Sequence, residues 1–423
     1  MAVDGETMLI KNASIVAGGR LLRDQNIAID GPRISGVGPG IADESGDGEV
    51  IEGRGKLAIS GLVNAHTHLA MTLFRGYADD MELMPWLSEK IWPLEAKLTA
   101  EDIRWGVKLG CLEMIRSGIT CYNDMYYFMD EAARATKEMG LRAVLSGVLF
   151  DMRPDLIEDA EPFIRRWKND DLIVPAVGPH AVYTCSEETL TRALDLAEKH
   201  DVMIHVHLSE TRSEVESFAK NRGKSPVEYL DSLGFLSDRV VAAHCVWLSP
   251  QDVSIIADRG VNVAHCSISN HKLASGIAPL DQLARAGARI CLGTDGASSN
   301  NSLNLFQEMK TTAIAQKCAH SRPDLFAAGE VWRMATENAY TAFRLDMGLR
   351  AGALADLSLI DLKKPWFCPL ADDNIVSHLV YSAQGGVETT IVGGRVLMRG
   401  GVIPGEEEIL ERAQEQFNDL LAR

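Results

Sequence analysis

Histidines recur in this chain where short apolar runs end, and their company is what metal chemistry requires. His66-Thr67-His68 closes one run, His205-Val206-His207 another, and His180, His244 and His265 close three more. Asp295 ends a further run, ARICLGTD. Residues i and i+2 of a strand share a face, so His66 and His68 can grip one ion together. A borderline-soft divalent cation takes imidazole nitrogens plus a carboxylate oxygen and keeps a position open for water. A single histidine at a strand end is as readily a buried hydrogen-bonding group. Seven of them with an aspartate, gathered on what would be one rim, point to a metal.

The runs themselves supply that rim. Eight strand candidates, LAISGLVNAH, GITCYND, LRAVLSGVL, LIVPAVGPH, VMIHVH, VVAAHC, VNVAHC and ARICLGTD, alternate with amphipathic helices. Thr99 and Ser249 read as helix N-caps, Pro250 suits a first helical position, and Gly118, Gly140, Gly260 and Gly287 follow helix ends. Eight strand–helix units over residues 59–349 predict an α/β fold, a (β/α)8 TIM-type barrel with its site at the C-terminal ends of the strands. A doubly wound sheet is the alternative, but no GxGxxG follows the first strand.

Residues 1–58 and 350–423 read differently, as short alternating strands with tight hairpins at Asp30-Gly31 and Gly393-Gly394. Each piece is short of strands for an independent sandwich. One small β-sandwich domain built from both termini is therefore expected. It would carry a C-terminal helix on which Ile409, Leu410, Ala413, Phe417, Leu420 and Leu421 share a face.

Composition narrows the partners. The 423 residues are 46% hydrophobic and 24% charged, which excludes a disordered or fibrous chain. The net charge is 42 − 59 = −17, so nucleic acid and anionic membrane surfaces would be repelled. MAVDGETMLIKN lacks the basic and apolar regions of a signal peptide, and no apolar run reaches the roughly 18 residues of a membrane span. The eight cysteines form no CxxC, and Cys121, Cys245, Cys266 and Cys291 sit in apolar runs as small hydrophobes. A cytoplasmic protein is expected.

At the level of motifs, GLVNAHTHLAMTLFRG, HVHLSET, AAHCVWLS, HCSISNHKLASGIAP and LGTDGASSNNSLNLFQEM resemble the amidohydrolase superfamily. They are most similar to its 5′-methylthioadenosine/S-adenosylhomocysteine deaminases, a group that includes 5′-deoxyadenosine deaminases. The resemblance extends over nearly the whole chain. It implies His66, His68, His207 and Asp295 as metal ligands, with His207-Leu-Ser-Glu210 meeting the family's HxxE and His205 left as a core histidine. It also implies one metal per chain, because the dinuclear relatives' strand-4 lysine is missing from LIVPAVGPH. Zinc is the expected metal, with iron or manganese compatible with the same donors.

The catalytic roles implied are Asp295 as the base for water, Glu210 as the proton donor to the ring and His244 as the group holding the attacking oxygen. Glu95 would bind the ribose diol, His180 the ribose or purine, and Arg142 and Arg153 the 5′ side, with Trp86 walling the pocket. Either arginine could equally form a surface ion pair, and Trp86 could be plain packing. His271 stands where relatives often carry an apolar residue, and neither its role nor that of His265 follows from the resemblance.

A free adenine nucleoside is thus the expected substrate and a homo-oligomer the expected assembly. Guanine, cytosine or triazine aminohydrolases would share the ligands without needing Glu95. A non-catalytic assembly relative would have lost ligands that are all present here. A nucleic-acid deaminase is opposed by the charge and by the missing HxE and PCxxC motifs.

Overall fold

The computed structural model describes residues 7–41 and 48–423. Residues 1–6, half of the MAVDGETMLIKN segment, lie outside the described residues. Five strands come first: β1 Thr7–Ala17, β2 Arg20–Asp30, β3 Arg33–Gly38, β4 Glu49–Glu52 and β5 Lys56–Ser60. Eight follow: β6 Leu62–Thr67, β7 Ile119–Tyr126, β8 Arg142–Leu149, β9 Ile173–Pro179, β10 Met203–Leu208, β11 Val240–His244, β12 Asn262–His265 and β13 Arg289–Leu292. The last are β14 Leu357–Asp361, β15 Val387–Val392 and β16 Arg395–Met398.

Strands β6 to β13 pair in sequence order and in parallel, with helices between them. Their inward positions fill the barrel with small apolar side chains such as Val63, Cys121, Val144, Val241, Ala264 and Cys291. Two of the strand cysteines are therefore barrel core. Helix Glu337–Ala342 stoppers the N-terminal end, where Tyr340 Oη donates to the Gly61 carbonyl at 2.8 Å. The barrel closes at its other end, where the amides of Thr294 and Asp295 donate to the His66 carbonyl at 3.1 and 2.9 Å. A Cβ on Gly293 would lie 2.8 Å from that of His66, so this closure requires glycine.

The remaining strands form one mixed sheet in the order β16-β15-β14-β5-β1-β2-β3, with β4 also paired to β1. Both expected hairpins are present, with Asp30 opposite Arg33 and Val392 opposite Arg395. The sheet branches because β1 pairs with β4 over Met8–Lys11 and with β5 over Ser14–Ile15. Between those stretches Asn12 adopts a φ of 56°, the left-handed region, and the register shifts.

Two local expectations change. LAISGLVNAH is not one strand: it breaks at Gly61, so Lys56–Ser60 joins the small sheet and Leu62–Thr67 opens the barrel. A Cβ at Gly61 would collide with Thr120 Oγ1 at 1.9 Å, which is why the switch is made at glycine. The C-terminal helix Glu406–Ala422 packs on barrel helix Ala100–Arg116, with Arg423 Nη2 on Asp102 Oδ1 at 2.6 Å and Arg116 paired to Glu406. Ile409, Ala413 and Leu420 are buried there, while Leu410 and Leu421 face outward.

Candidate metal centre and active site

Three imidazoles and one carboxylate converge where β6, β10 and β13 end. His68 Nδ1 donates to the Met125 carbonyl at 2.7 Å and His207 Nδ1 to the His180 carbonyl at 2.8 Å. Both rings therefore present bare Nε2 lone pairs, and these face one another at 3.2 Å. His66 Nε2 is buried with no hydrogen-bond partner among the described residues. His66 Nε2 and His68 Nε2 each lie 3.4 Å from Asp295 Oδ1. Lone pairs that meet without a proton between them repel, and a cation among them turns that repulsion into ligation. The donor set fits a divalent metal.

The electrostatics agree with that fit. Burial pulls His66 down to about 4, and it lowers His68 and, further, His207, so all three stay neutral at pH 7. Burial acts on Asp295 in the opposite sense. The facing His66 ring, with His244 and His68, outweighs it and holds Asp295 ionised, well below the usual carboxylate range. Asp295 Oδ2 accepts from Ser269 Oγ at 2.6 Å and Ser299 Oγ at 3.0 Å.

His244 and Glu210 stand beside this cluster. His244 Nδ1 donates to Asn270 Oδ1 at 2.9 Å, and its Nε2 lies 3.7 Å from Glu210 Oε2. Burial lowers His244, but Glu210 and then Asp295 raise it further, for a net rise. Glu210 is raised, first by burial and also by Asp295, although His244 and Ser275 oppose this. The backbone carrying it is fixed by Glu214, whose carboxylate accepts from the amides of Ser209, Glu210 and Thr211 at 3.3, 2.9 and 3.4 Å. Ser209, His244 and Asp295 all have φ between 52° and 73°, left-handed conformations that cost non-glycine residues of order 1–3 kcal/mol each.

The cluster opens into a pocket whose empty space, counted out to the solvent, is about 640 Å³. Its cover is the segment after β6, with helices Leu83–Trp86 and Trp92–Glu95 joined by a π-turn at Leu87–Ile91. Pro93 has no N–H to give the preceding turn, so regular α-helix cannot run through it. Glu95 ends the cover and accepts from Tyr126 Oη at 2.8 Å. Burial raises its carboxyl to about 7. No lysine or arginine lines the pocket among the described residues.

Known proteins carry the same framework. A model of the amidohydrolase family matches residues 57–397. The chain belongs to this family. It is 64% identical to a 5′-deoxyadenosine deaminase of Methanothrix thermoacetophila, covering 98% of this amidohydrolase and 100% of the relative. It is 46% identical to a 5-methylthioadenosine/S-adenosylhomocysteine deaminase of Archaeoglobus fulgidus, covering 96% and 98%. The crystal structure of an adenosine deaminase from Xanthomonas campestris with bound zinc superposes with a TM-score of 0.93 at 32% identity, covering 98% and 99%.

Most residues singled out from the sequence of this amidohydrolase meet at one place. His68, His207, His244, Glu210 and Asp295 line the pocket with His66 buried beneath them, and Glu95, His180 and Trp86 line its outer part. His180 Nδ1 is held by Thr184 Oγ1 at 2.9 Å, and its ring lies 4.6 Å from that of Phe150. Trp86 is buried, with Nε1 donating to the Ala78 carbonyl at 2.9 Å.

Arg142 is the correction. Arg142 begins β8, at the opposite end of the barrel, and its Nε donates to Asp356 Oδ2 at 2.8 Å. It cannot touch a ligand in the pocket. Arg153 is outside the lining as well, exposed and paired with Asp155 at 2.6 Å. His265 is buried with neither ring nitrogen partnered, and His271 is half-buried on helix Ser267–Lys272.

The sequence reading missed Tyr126, Asn270, Ser269, Ser299 and Glu214. Glu214 had a signal, because Thr211 and Glu214 have capping-box spacing. Tyr126, Asn270 and Ser269 depend on contacts between distant positions, and Ser299 reaches Asp295 four residues back only through the turn of its short helix.

Proposed function

We propose that this amidohydrolase is a metal-dependent deaminase of adenine nucleosides, releasing ammonia and the inosine analogue. The observation that carries the reading is the cluster in which the Nε2 atoms of His66 and His68 meet Asp295 while that of His207 meets His68, in a pocket also lined by Glu95. The names of its relatives support the substrate class. Zinc is the metal proposed, as in the adenosine deaminase of the same fold.

A divalent ion held by His66, His68, His207 and Asp295 supplies, when bound, a water of lowered pKa, so that a nucleophile is available near neutral pH. The chain's own groups do the rest. Asp295, kept ionised, takes a proton from the attacking water. Glu210, raised by burial and so able to carry a proton, gives it to the ring nitrogen beside C6. His244, anchored at Nδ1 by Asn270, holds the oxygen as charge develops on it. The bond from C6 to the exocyclic amino nitrogen then breaks: Asp295 returns its proton to that nitrogen, the C6 hydroxyl gives its proton back to Glu210, and ammonia leaves as the carbonyl forms. Glu95 accepts from the ribose hydroxyls, and His180 and Trp86 flank the nucleoside.

With no cation in the lining, uncharged 5′ groups fit best. Methyl and methylthiomethyl substituents should be preferred to the homocysteinyl group, whose carboxylate would find Arg142 out of reach and Arg153 already paired. A panel of 5′-deoxyadenosine, 5′-methylthioadenosine, S-adenosylhomocysteine, adenosine, adenine and ATP, followed by the adenine-to-hypoxanthine absorbance change, tests the reading. The first two should lead. If adenine or ATP turns over faster, the nucleoside reading fails.

A further inference from the structure

The three candidate ligand imidazoles are oriented in two different ways. His68 and His207 each give the Nδ1 proton to a main-chain carbonyl, of Met125 and of His180. No side-chain substitution removes those acceptors. His66 Nδ1 instead lies 2.7 Å from the Nε2 atom of a side chain, His205, and both rings are fully buried.

The surroundings of His205 fix which of the two rings donates. His205 Nδ1 is 3.4 Å from Ser146 Oγ. The Ser146 hydroxyl directs its own proton to the Asp124 carbonyl at 2.8 Å, so the serine offers His205 only a lone pair. The neighbour of His205 Nδ1 is thus an acceptor, and the proton of a neutral His205 ring sits on Nδ1. Its Nε2 is left as an acceptor facing His66.

We infer that His205 is a positioning residue: by accepting the Nδ1 proton of His66, it fixes His66 as the tautomer whose Nε2 lone pair faces the metal position. The relay runs from the Asp124 carbonyl through the Ser146 hydroxyl and His205 to His66, and it replaces the carbonyl that the other two imidazoles use directly. Without it, a buried His66 is free to carry its proton on Nε2, the atom that must be bare. The HVH motif thus contributes both a ligand candidate, His207, and the orienter of another.

This inference rests on the metal reading above, and the experiment separates the two. Zinc affinity of the full-length protein is measured by competition with a chromophoric chelator for wild type, His205→Leu and His205→Gln. Thermal unfolding of each metal-free protein reports folding. Leucine fills the space without accepting, and its zinc affinity should fall about 10–100-fold, the usual cost of losing such a partner. Glutamine places an acceptor oxygen near the position of Nε2 and should recover most of that loss. In metal-free wild type, nitrogen-15 NMR should find the His66 proton on Nδ1, a readout that does not depend on any variant folding.

Undiminished zinc affinity in a folded His205→Leu protein would overturn the relay. So would equal losses in the leucine and glutamine variants, or a His66 proton on Nε2. A wild-type protein with no zinc affinity would overturn the metal reading itself, and the relay with it.

Discussion

At the N-terminal end of the barrel, Arg142 is clasped by Asp356 through Nε and Nη2, at 2.8 and 3.3 Å, and gives Nη1 to the Asp171 carbonyl at 2.6 Å. The remaining need of Asp356 is met by the Gly393 amide at 2.7 Å, which ties the barrel to the small sheet. At the C-terminal end β10, β11 and β13 give way to left-handed residues at Ser209, His244 and Asp295, and a buried His66 Nε2 has no hydrogen-bond partner among the described residues. The Arg142 cluster is complete in its pairs, whereas the candidate site holds donor atoms poised for a ligand. Stability is concentrated where the pairs are complete, and chemistry where the partner has still to arrive. Substitutions at the two ends should therefore separate rate from stability.

The largest expected effect is on rate. Glu210→Gln keeps the shape of the side chain but loses the proton, and kcat should drop about 10²–10⁴-fold with thermal stability nearly unchanged. Steady-state kinetics beside a melting curve checks both halves. Activity within a few-fold of wild type would remove Glu210 from the proposed mechanism.

Arg142→Ala should do the reverse. It leaves Asp356 buried and unpaired, at a cost of about 3–5 kcal/mol in chemical denaturation, while kcat/KM per folded molecule holds. A specific loss of S-adenosylhomocysteine turnover would instead restore Arg142 as a substrate contact.

Next in size is the ribose contact. A 2′,3′-dideoxy analogue leaves the Glu95 carboxylate without its hydroxyl partners, and kcat/KM should fall about 100-fold relative to the parent nucleoside. Glu95→Gln should erase most of that discrimination.

These contrasts explain what the sequence could show. The His66, His68, His207 and Asp295 set was legible because a metal demands particular residue types, and a strand end brings them together whatever lies between. Hairpins at Asp30-Gly31 and Gly393-Gly394 were legible because left-handed turns demand glycine. Arg142 was not, since nothing in LRAVLSGVL says that its arginine meets an aspartate 214 positions away. The switch at Gly61 was hidden for a similar reason: an apolar run that serves two sheets looks like one long strand. His205 could be read as a core histidine, but its 2.7 Å contact with a residue 139 positions earlier appears only in the fold.

The smallest effect concerns a buried acid behind the site. Glu308 accepts from Asn300 Nδ2 at 2.6 Å and the Ile268 amide at 3.3 Å, and burial pushes its carboxyl up to about 8. The folded state thus holds its proton more tightly than the unfolded chain, whose glutamate titrates near 4.5. Stability from this group is full below about pH 4.5 and is lost as the pH rises through about 8. Glu308→Gln should flatten the decline in melting temperature across that window. An unchanged pH slope would mean that Glu308 does not titrate there.

The most direct test of the central claim is the absorbance change of 5′-deoxyadenosine with zinc-loaded protein, with the same protein stripped by chelator, and after zinc is restored. Loaded and restored samples should convert adenine to hypoxanthine, and the stripped sample should be inert. Conversion by metal-free protein, or none by the loaded protein, would contradict a metal-dependent nucleoside deaminase.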